Sequence, residues 1–159
     1  MANTVYTTAP NGFSFLRDSN GTPPLEWKTV GATAVKTGDA LTIASGLLVI
    51  ETGGSSAILG IAQADTAAGD ECPYIPANDD TLFTAELTAA AASITTLMGV
   101  AVDITGGTGA QAVLATAGGT PQMRILGWVR EYDPGTGNTN TNGRVIVAVY
   151  KGQYNTQVI

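Results

Sequence analysis

The sequence predicts an all-β fold, a small β-barrel or β-sandwich with an extended N-terminal arm and one short helix. Three observations carry this. Apolar residues recur at period two or in short blocks, and Gly, Asn, Asp or Pro interrupts them about every eight to twelve residues. Charged residues make up only 13% of the chain, and Gly, Thr and Ala take their place. A chain of 159 residues buries roughly 68% of its extended surface on folding, enough for one core without disulfides or metals.

Residues 1–30 are expected to form the arm. Pro10, Asn11-Gly12, Asn20-Gly21 and Pro23-Pro24 punctuate them and no regular period runs through. Residues 31–159 then form the single β domain. Strands are expected at 27–36, 40–44, 47–51, 57–64, 71–76, 81–87, 99–105, 110–116, 122–132 and 144–151. In 99–105, Val100, Val102 and Ile104 alternate with Ala101, Asp103 and Thr105, which predicts a half-exposed strand. Residues 144–150, RVIVAVY, are apolar on both faces and belong in the middle of a sheet or under a partner subunit.

The one helix is placed at 88–97, where Thr88 precedes four consecutive alanines and serves as the cap. The segment 133–143, DPGTGNTNTNG, reads as a polar loop projecting into solvent, closing on the hairpin pair Asn142-Gly143. Leu59-Gly60-Ile61, Met98-Gly99-Val100 and Leu126-Gly127-Trp128 each set a glycine between apolar residues. Such glycines mark a bulge or a close backbone approach.

The composition argues against most chemistry. There is no histidine, so the usual neutral-pH acid or base and the commonest metal ligand are missing. Cys72 follows Asp70 and Glu71, which disfavour a thiolate, and it is expected to be buried and inert. Gly106-Gly107-Thr108-Gly109 lacks the Gly-Lys-Ser/Thr ending of a phosphate loop and reads as a hairpin turn. Asp65, Asp70, Asp79 and Asp80 are the only grouping suited to calcium, but they lack the EF-hand pattern and read as solvated turns. Adjacent acids on a strand point to opposite faces, which removes a paired-carboxylate glycosidase. No enzyme and no cofactor is predicted.

Seven Lys and Arg against thirteen Asp and Glu give a net charge of −6, which predicts no nucleic-acid partner. The polar opening residues give no leader, and no run approaches the about eighteen apolar residues of a membrane span. Asn20-Gly21-Thr22 is accordingly a polar turn rather than a glycosylation acceptor.

Several segments, in order, resemble a known group. They begin with Pro10-Asn-Gly-Phe13, Leu16-Arg17 and Asn20-Gly21-Thr-Pro23, and continue with Val35-Lys-Thr-Gly-Asp39 and Leu41, Ile58-Leu-Gly-Ile-Ala62 and Ala67-Ala-Gly-Asp70. The second half adds Leu82-Phe83 through Leu87, the alanine-rich stretch, Met98-Gly-Val-Ala-Val-Asp-Ile104, Arg124-Ile-Leu-Gly127 and Arg144-Val-Ile-Val147. Together these resemble the capsid decoration, or cement, proteins of tailed bacteriophages. Trp128 and the loop 133–143 depart from the shared pattern.

The resemblance implies a β-barrel or β-sandwich, often trimeric, that sits on the outer capsid surface of a virion made in the bacterial host cytoplasm. Its partner would be the major capsid protein, and repetition over the lattice would make modest contacts strong. The expected contact residues are Phe13, Phe15, Leu16, Leu25 and Trp27, with Arg17 as a directional polar anchor. A nearly equal alternative has these aromatics plugging the protein's own body. Deleting the first 25 residues is expected to leave a folded body that no longer coats capsids. Two other readings compete: a tail or fibre component, and a carbohydrate-binding module with Trp27, Trp128 and Tyr132 as its stacking platform.

Overall fold

The computed structural model describes residues 12–19, 21, 23, 25–53, 57–78, 80–88, 96–129 and 143–150. They form twelve strands: β1 (Ser14–Asp18), β2 (Glu26–Thr29), β3 (Ala40–Ala44), β4 (Leu47–Ile50), β5 (Gly60–Ala62), β6 (Glu71–Pro76), β7 (Thr81–Glu86), β8 (Ala101–Val102), β9 (Ile104–Thr105), β10 (Ala112–Val113), β11 (Met123–Trp128) and β12 (Arg144–Val149). A first sheet runs β1-β7-β12-β11-β8 and a second β2-β6-β5-β3-β4, while β9 and β10 form a separate hairpin. Every strand pair is antiparallel. The all-β expectation is met as a sandwich, with no closed barrel among the described residues.

The two five-stranded sheets face each other across the larger core. Phe83, Ala85, Met123, Ile125, Val145, Val147 and Val149 point into it from the first sheet, and Ala40, Ile61 and Ile75 from the second. Alternation along a strand sends the intervening residues the other way. On the second sheet those residues are also apolar: Leu41, Ala62, Cys72 and Tyr74 join Val30, Val35, Leu48 and Leu59 in a smaller core. The sheet curls around that core until Val30, beyond the end of β2, bridges Leu48 of β4. Cys72 is fully buried there, as expected.

Strand 144–149 lies centrally, between β7 and β11, which accounts for its apolar run. The hairpin between β3 and β4 turns on Ser45 and Gly46, both at positive φ (51° and 81°), the geometry whose twist matches antiparallel strands. The expected strand 99–105 is broken at Asp103. Its carboxylate accepts the amides of Gly119 (3.1 Å) and Thr120 (3.1 Å), and the chain leaves the first sheet there to form β9. The alternation survives the break, because Val102 and Ile104 both reach the larger core and Val100 packs against it.

Two expectations are corrected, and a third lies outside the described residues. Residues 12–30 are not irregular throughout: β1 is an edge strand of the first sheet and β2 an edge strand of the second. The period of two was obscured because β1 carries a bulge at Leu16. Phe15 faces Phe83 on the core side, and one extra residue later Arg17 stands opposite Leu82 on the outer side. The strand expected at 27–36 ends at Thr29, where Gly31 crosses against the Leu48 carbonyl, and resumes only as a bridge from Val35 to Thr66. Of the expected helix, residues 89–95 lie outside the described residues. Thr88 donates its amide to Val113 (3.0 Å), and Leu97 is buried in the larger core. The loop 133–143 also lies outside them, except Gly143.

A buried polar cluster ties the parts together. Gln111, on the approach to β10, accepts the Ala40 amide at Oε1 (2.6 Å), donates from Nε2 to the Glu51 carbonyl, and accepts the Gly12 amide at its own carbonyl (3.0 Å). Gln122 accepts the Ile104 amide (3.1 Å) and donates to the Glu51 carboxylate (3.4 Å). Uncharged amides here satisfy strand ends that no ladder reaches.

Candidate docking surface

The six residues expected to make contacts divide into three groups. Phe13 is corrected outright: it is 2% exposed and belongs to the larger core, held by its amide donating to the Gly38 carbonyl (2.8 Å). Its ring lies in the larger core, so it has no surface to offer a partner. The alternative, an aromatic plug, holds for this residue.

Phe15 is divided between the two roles. One edge of its ring packs against Phe83 in a T-shaped contact (centroids 6.5 Å apart, planes at 76°), and the rest is exposed. Leu16, the bulge residue, and Arg17 are exposed beside it. The third group lies on the other sheet: Leu25 is 51% exposed and Trp27, on β2, is 60% exposed. Trp27 stands opposite Pro73, with its side chain on the same face as Ile75. At edge strand β2 the first sheet no longer covers that face, so the indole remains in water.

The groups approach each other through the connection from β6 to β7. Asp18, ending β1, accepts the Thr81 hydroxyl (2.6 Å), and Glu26, opening β2, accepts the Tyr74 hydroxyl (2.7 Å). Both strand ends are therefore anchored to the two flanks of residues 75–80. Phe15, Leu16, Leu25 and Trp27 lie along a margin of the sandwich where two edge strands meet solvent. Exposed large apolar side chains concentrated in this way mark interaction surfaces more than isolated ones do.

Trp128 does not join Trp27 in a stacking platform. It sits on β11 of the other sheet, opposite the core residue Val145, and is half-buried. Tyr132 lies outside the described residues. The residues that sequence reasoning missed are Arg124, Leu126 and Tyr150 on the outer face of the first sheet. The signal for them was the two-faced apolar run at 144–150.

Of the acidic turn residues Asp79 lies outside the described residues, and Asp65 is tied into the fold. Asp65 pairs with the Lys36 ammonium (2.7 Å) and accepts the Thr37 amide (2.9 Å). Asp39, fully buried, accepts the amides of Lys36 (2.8 Å) and Gly109 (2.8 Å). Among the described residues no cluster of acids, cysteine or histidine is grouped to hold a metal. The hydrogen bond from Lys36, reinforced by Thr37, lowers the Asp65 pKa from 3.8 to about 2, whereas burial raises that of Asp39.

A depressed carboxylate pKa stabilises the fold above its ordinary value, and that contribution is lost as pH falls toward the folded value. The Asp65 carboxyl carbon is thus expected to titrate in NMR with a midpoint near 2. Lys36→Ala should return it toward 3.8, and an ordinary midpoint in the wild-type protein would show that the clasp does not form in solution.

No family model matches the chain, and no curated protein is significantly similar to it.

Proposed function

We propose that this protein is a structural component of a virion, a decoration protein that binds the outer surface of a tailed-phage capsid and bridges neighbouring major capsid subunits. The observation that carries the reading is the margin formed by β1 and β2. Phe15 and Leu16 stand there on β1, Trp27 on β2 and Leu25 just before it, in a protein whose buried Gln111, Gln122 and Asp39 side chains accept its own backbone amides. Rigid aromatic anchors lose little entropy on docking, and lattice repetition multiplies a weak single contact. The order of segments that resembles decoration proteins supports the same reading, and that resemblance implies a homo-oligomer, a trimer.

Deletion of residues 1–25 is not the right test, because it would remove β1 and the core residue Phe13. Point substitution at the margin leaves the core intact. Leu25→Ser/Trp27→Ser is expected to keep the wild-type thermal midpoint and to lower binding to purified capsids by at least about tenfold, the scale of one lost aromatic anchor. Sedimentation of labelled protein with capsids measures it. Absence of wild-type protein from purified particles, or undiminished binding by the double variant, would defeat the proposal.

A further inference from the structure

The outer face of the first sheet has a pattern of its own. Directly opposed residues share a face, so Arg17, Leu82, Ala148 and Arg124 form one row across β1, β7, β12 and β11. Leu82 and Ala148 alternate with the core residues Phe83, Val147 and Val149, which fixes the row on the outside. Ile146 lies beside it on β12, and Leu126 and Tyr150 are exposed at its β11 end. The Arg124 guanidinium stacks on the Tyr150 ring, 4.7 Å from its centroid, which holds that cation in place. Three inter-strand steps separate Arg17 from Arg124, about 14 Å.

This row is apolar between a guanidinium at each end, on a protein of net charge −6, while Thr84, Glu86 and Arg144 share the face farther along β7 and β12, with Thr84 and Arg144 buried there. Both arginines are exposed. Among the described residues an ion pair joins Lys36 to Asp65, and neither Arg17 nor Arg124 is paired with a described carboxylate.

We propose that the outer face of the first sheet docks a protein surface of complementary character, an apolar strip flanked by carboxylates that meet Arg17 and Arg124. A second copy set against the same face by a two-fold axis would oppose arginine to arginine, and that repulsion selects a different, acidic surface. The remainder of this acidic chain repels such a surface, so the two guanidiniums also set the register of docking. This face points away from the core-side rim occupied by Trp27. The two surfaces adjoin at β1, where Arg17 stands beside Phe15 and Leu16.

The test uses the full chain and a short copolymer of Glu and Leu, with a Lys and Leu copolymer as counterpart. Wild-type protein is expected to bind the Glu-Leu copolymer in a salt-sensitive manner and to ignore the Lys-Leu one. Arg17→Glu/Arg124→Glu should weaken binding by roughly tenfold or more, with thermal midpoint and light-scattering mass unchanged. Equal binding by the double variant, or equal binding of the Lys-Leu copolymer, would overturn the proposal. So would a change in mass, which would make the face a junction between copies. Neither copolymer measurement involves capsids, so the decoration reading and this inference stand or fall separately.

Discussion

Gly60→Ala is expected to cost about 4 kcal/mol or more, a large share of the stability of an ordinary domain. Gly60 lies on β5, between β3 and β6 in the middle of the second sheet. A Cβ built there would sit 2.4 Å from the Ile75 carbonyl oxygen and 2.5 Å from Tyr74 Cδ2. The first neighbour is backbone and cannot change rotamer, so β5 must move away from β6. That movement strains the pairs Gly60 to Pro76, Ile61 to Ile75 and Ala62 to Tyr74, and it opens both cores, since Ile61 feeds one and Ala62 the other. Gly127→Ala is the control. Gly127 stands at the β11 bulge, where an added Cβ finds only Ile146 Cδ1 at 3.8 Å, and the cost there is expected to stay below about 1 kcal/mol. Urea denaturation of the two variants measures the contrast, and similar stabilities would show that the close approach of β5 to β6 is relaxed in solution.

Gln111→Met is expected to destabilise by about 3 kcal/mol, lowering the thermal midpoint by roughly 6–12 °C for a chain of this size. Methionine nearly conserves the volume, so the change isolates hydrogen bonding from packing. The side-chain amide meets the Ala40 amide and the Glu51 carbonyl, both in residues almost wholly buried, and no water replaces it without opening the structure. Ala40 begins β3 and Glu51 follows β4, so losing Gln111 loosens the end of that hairpin where it meets the segment leading to β10. A midpoint within a degree or so of wild type would mean that these backbone groups find other partners.

Much of the fold was legible because burial imposes a period. β3 and β6 fall where the expected strands were placed, and β4, β7 and β12 differ by a residue or two, since each is a block of β-branched or apolar residues bounded by turn formers. The three glycines were legible as special but not as equals: Gly60 is a close approach, Gly127 a bulge, and Gly99 a turn at φ +79°. β1 was not legible. Its bulge at Leu16 reverses the face halfway along five residues, and a pattern reader sees that reversal as no pattern. The docking margin was half legible for the same reason. Aromatic richness marked residues 13–27, but which rings enter the core depends on what lies opposite them, Gly38 and Phe83 for Phe13 and Phe15, Pro73 for Trp27.

From its residues alone this chain is committed to antiparallel sheets, a neutral and acidic surface, and a buried thiol, because local alternation and solvation free energy are properties of neighbours in sequence. Tertiary structure decided which edges stay open, which ring of the N-terminal segment is core, and that Arg17 and Arg124 flank one outer face. These depend on register between segments distant in sequence, as Arg17 is from Leu82, 65 residues on. A slip of one residue would have turned each of those side chains to the opposite face.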